Sequence, residues 1–187
     1  MLFLSNPKEK YLIAGLGNPG AKYEQTRHNA GFMFIDELVE LIAKNGEHSG
    51  IEFINKERKL EAHIIQLKNL LLIKPTSYMN NSGRAVQKVA QFYKIAANNV
   101  ALAYDDLDIG LGSYKISATK SPKVHNGVES VKQELGNYGL NIRLGVDSRQ
   151  PDNRTPGLDY VLQKFSAEEQ QIFYNTCQRA AAEIYFN

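Results

Sequence analysis

The residues in this chain best suited to move a proton lie in two polar patches far apart in sequence. The first is Tyr23-Glu24-Gln25-Thr26-Arg27-His28-Asn29-Ala30-Gly31, which opens an otherwise apolar helical pattern. Thr26 is placed to cap that helix, which would hold His28 in its first turn. A helix N-terminus disfavours the imidazolium, leaving a neutral ring able to accept a proton. A histidine there can equally do no more than satisfy free backbone groups of the helix end. Of the other histidines, His48 falls in a loop and His63 in a strand, where structural or solvated roles are expected. His125 is expected to buttress the turn that contains it.

The second patch is Asp105-Asp106-Leu107-Asp108, placed just after the apolar run NVALAY. Three carboxylates this close suit a hard cation such as magnesium or calcium. Alternatively, Asp105 orients and polarises His28, as the acid of a His–Asp pair does in hydrolases. Spacing does not choose between these. No His or Cys cluster accompanies the aspartates, so a metal is not expected. No serine or cysteine stands out as a nucleophile: Ser82 sits in NNSG without the flanks of a nucleophile elbow. A water activated by histidine is then the natural nucleophile.

The elements that must position these groups can be read from periodicity. YLIAGLG (11–17) is a buried strand ending in glycines. Phe32, Ile35, Leu38, Val39 and Ile42 recur at helical spacing over residues 29–44. EAHIIQL and NLLLIKP form a hairpin or two adjacent strands about Lys68-Asn69. Val86, Val89, Ala90 and Tyr93 mark a helix, NVALAY a strand, SYKIS a strand, VESVKQEL a short helix and NIRLGV a strand. A last helix from about Ala167 carries Ile172, Cys177, Ala180 and Ile184. Long loops are expected over residues 48–57, 118–124 and 147–158. Strands alternating with helices imply an α/β fold: one three-layer domain with a mixed, mainly parallel twisted sheet flanked by helices. Ligands in such folds sit beyond the C-terminal strand ends, where GLGNPG, KPTSYMNNSG and YDDLD all fall.

The bulk numbers agree with one domain: 187 residues, 43% hydrophobic, are enough for a single core. With 22 basic and 20 acidic residues the net charge is +2, which neither demands nor excludes a nucleic-acid partner. Cys177 stands alone, so no internal disulfide or thiolate metal site is expected and the chain reads as intracellular. MLFLSNPKEK lacks the cationic start of a secretion signal, and residues 1–10 are expected to form a flexible extension. No apolar run approaches the roughly 18 residues that cross a bilayer.

Gly15-Leu16-Gly17-Asn18-Pro19-Gly20 matches the dinucleotide-binding pattern G-x-G-x-x-G. Its context fails. The helical pattern starts only near Arg27, too late to turn its N-terminus to a pyrophosphate. Asp36 and Glu37, at the distance of a ribose-binding acid, lie inside a helix, and Pro19 removes an amide donor.

GLGNPG, YxxTRHNAG, KPTxxMNxSG, D-(D/E)-L-D after a strand, and HNG occur here in one order from Leu12 to about Phe165. Together they resemble the bacterial peptidyl-tRNA hydrolase family. The resemblance implies an α/β esterase that cuts the ester between peptide and tRNA, metal-free and without cofactor, acting as a cytoplasmic monomer on peptidyl-tRNA. It implies that His28 is the catalytic histidine, Asp105 its paired acid, and Asn18 the amide that places water or carbonyl. Met79, Asn80 and Asn126 match residues lining the cleft for the peptide and terminal adenosine, with Tyr23 an aromatic residue nearby. Lys115 and Arg143 match part of the basic set gripping tRNA phosphate. The chemistry suits those assignments. Asparagine amides donate to an oxyanion and recognise a peptide backbone without charge, although Asn80 also reads as a plain turn residue.

The chain departs from the family pattern in the segment before HNG, which reads SATKSPKV with Pro122 and no glycine. Ser117 stands where a basic residue is common, with Lys120 and Lys123 adding charge nearby, and Glu129 replaces a usual cation. DSRQPDNRTPG follows the last strand where a glycine and a short basic turn are usual, and the polar tail beyond the last helix is missing. The competing reading is a non-catalytic RNA-binding module on the same fold, like the splicing cofactors among organellar relatives. Retention of Asn18, His28, Asp105 and Asn126 together favours the enzyme.

Overall fold

The computed structural model describes residues 4–47, 50–54, 57–118, 124–150 and 155–186. Among these, seven strands form one sheet in the order β2-β3-β4-β1-β5-β7-β6. The strands are β1 (Tyr11–Gly15), β2 (Ile51–Ile54), β3 (Ala62–Leu67), β4 (Leu70–Pro75), β5 (Val100–Gly110), β6 (Tyr114–Ser117) and β7 (Leu140–Asp147). The centre, β4-β1-β5-β7, is parallel. β3 and β6 run against their neighbours, and β2 against β3.

Alternation along the strands builds two cores. Tyr11 and Ile13 of β1 face one side with Ala101 and Ala103 of β5 and Ile142, Leu144 and Val146 of β7. That face is covered by α1 (Ala30–Ile42) and α6 (Ala167–Phe186), through Phe34, Ile35, Leu38, Phe173, Cys177 and Ala180. Leu12, Ala14, Leu71 and Leu102 face the other side. It is covered by α2 (Glu57–Leu60), α3 (Ser82–Tyr93) and α4 (Asn126–Leu135), through Leu60, Val86, Val89, Val128 and Val131. β1, apolar without alternation, is buried throughout because both of its faces are covered. The three-layer α/β reading therefore holds.

Four local expectations change. Ile51–Ile54 is a short edge strand on β3 rather than loop; four residues are too few to show a period. A one-turn helix, α5 (Gly157–Val161), ends the segment expected as loop over 147–158. The aspartates do not follow a strand but lie within it. β5 keeps its pairing to β7 through Asp106 and regains it after a bulge at Gly110. Finally, α1 is entered by a 3₁₀ turn, Arg27–Asn29, for which Thr26 gives no side-chain cap. Its hydroxyl instead donates to the Tyr23 carbonyl at 2.8 Å.

Two glycines permit the close packing that brings these elements together. A Cβ on Gly31 would lie 2.2 Å from the Ala103 carbonyl oxygen and 2.3 Å from the Leu16 nitrogen, so α1 starts directly against β5 and the end of β1. A Cβ on Gly83 would meet the Ser130 carbonyl at 2.0 Å, where α3 crosses α4. Gly83 also donates its amide to the Ser130 hydroxyl at 3.0 Å.

Candidate active site

The centre of the site is the Asp105 carboxylate, 4% exposed and carried by β5. Two imidazoles reach one of its oxygens. His28 Nδ1, from the turn before α1, lies 2.9 Å from Oδ1. His125 Nε2, from the residue capping α4, lies 3.0 Å from the same oxygen. The protons can be assigned from partners. His125 Nδ1 accepts from the Val128 amide at 3.3 Å, so its Nε2 carries the proton and donates to Asp105. An ionised carboxylate only accepts, so His28 Nδ1 must likewise bear the proton facing it. His28 Nε2 then holds a lone pair on the ring edge away from Asp105. That nitrogen is a base with a fixed tautomer, the arrangement a His–Asp pair provides.

Charge follows the same geometry. Burial alone would raise the Asp105 carboxyl, but the facing His28 and His125 rings, by charge and hydrogen bond, hold it well below its ordinary value. Burial alone would lower His28, yet the Asp105 charge and hydrogen bond outweigh it and the ring titrates above its ordinary value.

Asn18 is positioned from the opposite wall. Its backbone amide donates to Asn29 Oδ1 at 2.8 Å, and Asn29 Nδ2 donates back to the Asn18 carbonyl at 3.0 Å. The Asn18 side-chain oxygen accepts from the Met79 amide at 2.9 Å, which turns its Nδ2 outward. GLGNPG, TRHNAG and KPTSYMNNSG are thus stitched together by paired amides, so one outward N–H group is held against the turn that carries His28.

Two clefts meet at His28. One, of about 340 Å³, is lined by His28, Asp105, His125, Asn126, Leu158 and Val161 among others. The second, of about 280 Å³, is lined by Asn18, His28, Met79, Asn80, Asn126 and Tyr78 among others. Their rim is apolar: Val124 is 81% exposed and Leu158 72%, with Leu162 and Tyr78 also open to solvent. Exposed apolar groups this concentrated mark a binding surface. α5, which supplies Leu158 and Val161, is tied to the His28 turn by its neighbour Arg27. The Arg27 guanidinium pairs with both Glu169 oxygens at 2.7 Å and donates to the Lys164 carbonyl at 2.8 Å. It also lies 4.2 Å over the Tyr160 ring.

The structure thus gathers His28, Asp105, Asn18, Met79, Asn80 and Asn126 into adjoining clefts. Tyr23 stays outside their lining and packs edge-on against Tyr78, centroids 6.2 Å apart. Arg143 and Lys115 lie apart from His28, side by side in the β6–β7 register. Lys115 is exposed, but Arg143 is 8% exposed and donates Nε to Asp106 Oδ2 at 2.6 Å. Lys120, Pro122 and Lys123 lie outside the described residues.

The three aspartates do not converge on a cation. Asp106 is taken by Arg143 and by the Asp108 amide at 2.8 Å, while Asp108 is exposed. The expectation that no His or Cys cluster accompanies the aspartates is corrected at Asp105, where the expected His28 is joined by His125: ligand atoms of His28, Asp105 and His125 all lie within 4.8 Å of one another. In the tautomers assigned above, both nitrogens facing the carboxylate use their protons on it. Sequence reasoning missed His125 as a second partner of Asp105. The signal available was its place beside Asn126 at the start of a helix.

A family model described as peptidyl-tRNA hydrolase matches residues 12–186. Among curated proteins, the peptidyl-tRNA hydrolase of Cytophaga hutchinsonii is 41% identical over 177 residues, covering 91% of this chain and 87% of the relative. That of Aquifex aeolicus is 38% identical over 171 residues, covering 90% and 85%. Among solved structures, peptidyl-tRNA hydrolase from Acinetobacter baumannii superposes with a TM-score of 0.78 at 30% identity, covering 94% of this chain and 86% of that one.

Proposed function

The chain belongs to the peptidyl-tRNA hydrolase family, and we propose that it cleaves the ester of peptidyl-tRNA with a water deprotonated by His28 Nε2. The observation that carries this is the 2.9 Å contact of His28 Nδ1 with Asp105. It fixes the tautomer that leaves Nε2 basic and stabilises the imidazolium as the water proton arrives. Hydroxide adds to the ester carbonyl, and the outward Asn18 Nδ2 donates to the oxyanion that develops. When the tetrahedral intermediate collapses, the protonated His28 delivers its proton to the departing ribose oxygen, and peptide and tRNA separate. Met79, Asn80 and Asn126 line the space for the peptide and terminal adenosine, the latter against the apolar rim of Leu158, Val161 and Val124.

Lys115, with the outer nitrogens of Arg143, takes the tRNA phosphates, and Tyr23 braces the rim through Tyr78. No metal takes part, and the enzyme works as a monomer in the cytoplasm. No described helix is long and apolar enough to cross a membrane. The relatives found are hydrolases, so a non-catalytic RNA-binding module finds no support.

The test is His28→Ala on an N-acetyl-aminoacyl-tRNA. Loss of a general base costs about 10²–10⁴-fold in rate, with the fold retained but the melting midpoint lowered, because the variant removes one of the two imidazole hydrogen bonds to the buried Asp105 carboxylate. A variant retaining more than half of the activity excludes His28 as the base.

A further inference from the structure

On the far side of Asn18 a second depression begins, separate from the two clefts at His28. Its floor is Asn29, which precedes α1, with Phe32, Met33 and Asp36 of α1, the i, i+3, i+4, i+7 spacing of a single helix face. The opposite wall is His63 of β3 with Lys74 and Pro75 of β4, and the volume is about 430 Å³. A neighbouring hollow of about 350 Å³ shares Asp36, His63 and Lys74, and continues over Ile65 to Phe53 on the edge strand β2. Phe53 is 77% exposed. At this end of the sheet Ile65 of β3 is only partly buried among the described residues.

We propose that this groove holds the peptidyl moiety of the substrate upstream of the scissile ester, from about the third residue onward. The inference rests on the hydrolase reading above. Asn18 lines both the groove and the cleft containing His28, so a chain whose ester carbonyl meets the Asn18 amide has the groove as its continuation. The lengths agree. From Asn29 to Asp36 the helix rises on the order of 10 Å, the span of about three extended residues. The lining is also of the right kind for a chain of variable sequence. Lys74 is neutralised by Asp36 and lies 5.7 Å from the centre of the Phe32 ring. The walls therefore offer aromatic surface and a pre-formed ion pair, with the exposed Glu24 carboxylate at the mouth the charge not matched in that pair. The far end, Phe53 with Ile65, favours an apolar side chain at the fourth or fifth position from the ester.

The experiment compares kcat/KM for N-acetyl-monoaminoacyl-tRNA and N-acetyl-pentapeptidyl-tRNA carrying the same residue at the ester. Enzymes are the wild type, Phe53→Ala, and the double variant Asp36→Ala with Lys74→Ala, which removes both charges together. The expected result is an effect below twofold on the monoaminoacyl substrate. On the pentapeptidyl substrate we expect a loss of about five- to tenfold, carried by KM, the scale of partial burial of one apolar side chain. Equal effects on both substrates, or none on the longer one in either variant, would overturn the proposal. Failure of the wild type to cleave the monoaminoacyl substrate would instead strike the hydrolase reading.

Discussion

Replacing Asp105 by asparagine separates the geometric role of this group from its electrical one. Both imidazoles approach Oδ1, so an asparagine can present its carbonyl oxygen there and keep both hydrogen bonds, with the amide nitrogen replacing an oxygen that neither ring uses. Tautomers and ring positions are expected to survive. The negative charge does not. For unit charges about 4 Å apart at an effective dielectric near 20, the attraction between carboxylate and imidazolium is about 4 kcal/mol, an upper bound of roughly 10³-fold in rate. Some is returned because the carboxylate no longer has to be kept ionised while buried. We expect kcat/KM on N-acetyl-aminoacyl-tRNA to fall by about 10²–10³-fold on the alkaline plateau.

The pH profile carries a second signature. Activity requires neutral His28, whose pKa in the wild type lies above the ordinary 6.5 because Asp105 outweighs burial. With the charge gone, burial is opposed only by the retained hydrogen bond, so the acid limb should move to lower pH. Stability gives a third readout. A carboxyl held below its ordinary 3.8 contributes stabilisation that is present above that pH and fades as pH falls through the depressed folded-state value. In the asparagine variant this acid-side loss should flatten. A plateau loss under tenfold, or an acid limb that stays in place, refutes the electrostatic role.

Arg27→Met should cost about 2–4 kcal/mol, read as a lower urea midpoint, because it removes a buried guanidinium that ties Glu169, the Lys164 carbonyl and the Tyr160 ring together and so frees the link to α5. A shift below 1 kcal/mol would show the pair to be marginal. Dialysis against a strong chelator should leave hydrolysis unchanged; activity that vanishes and returns with zinc would make His28, Asp105 and His125 ligands rather than a base and its hydrogen-bonded support. Lys115→Ala should weaken tRNA binding and reduce its salt slope by about 0.7–0.9, while cleavage of a short N-blocked aminoacyl ester stays constant. An unaltered slope would leave Lys115 a solvated surface residue.

What could be read from the sequence was what depends on local repetition. The apolar runs NVALAY and NIRLGV, the helical spacing of Phe32 to Ile42 and the ordered motifs each reflect a force acting within a few residues, and so survive in one dimension. β2 escaped because an edge strand of four residues has no period to detect. The His28 turn was placed correctly but for the wrong reason. The sequence suggests Thr26 as a cap, whereas its hydroxyl turns back to Tyr23 and the anchor is Arg27, reaching 142 residues along the chain to Glu169. His125 was hidden for the same reason. Its Nδ1 does local work on Val128, three residues away, which is all that a short-range reading can register. Its Nε2 works on Asp105, on a different strand, and that contact exists only because β5 carries the carboxylate to the place where the starts of α1 and α4 meet. A residue bonded at both ring nitrogens is thereby fixed in tautomer as well as place, so His125 holds the Asp105 oxygen in the position from which it orients His28.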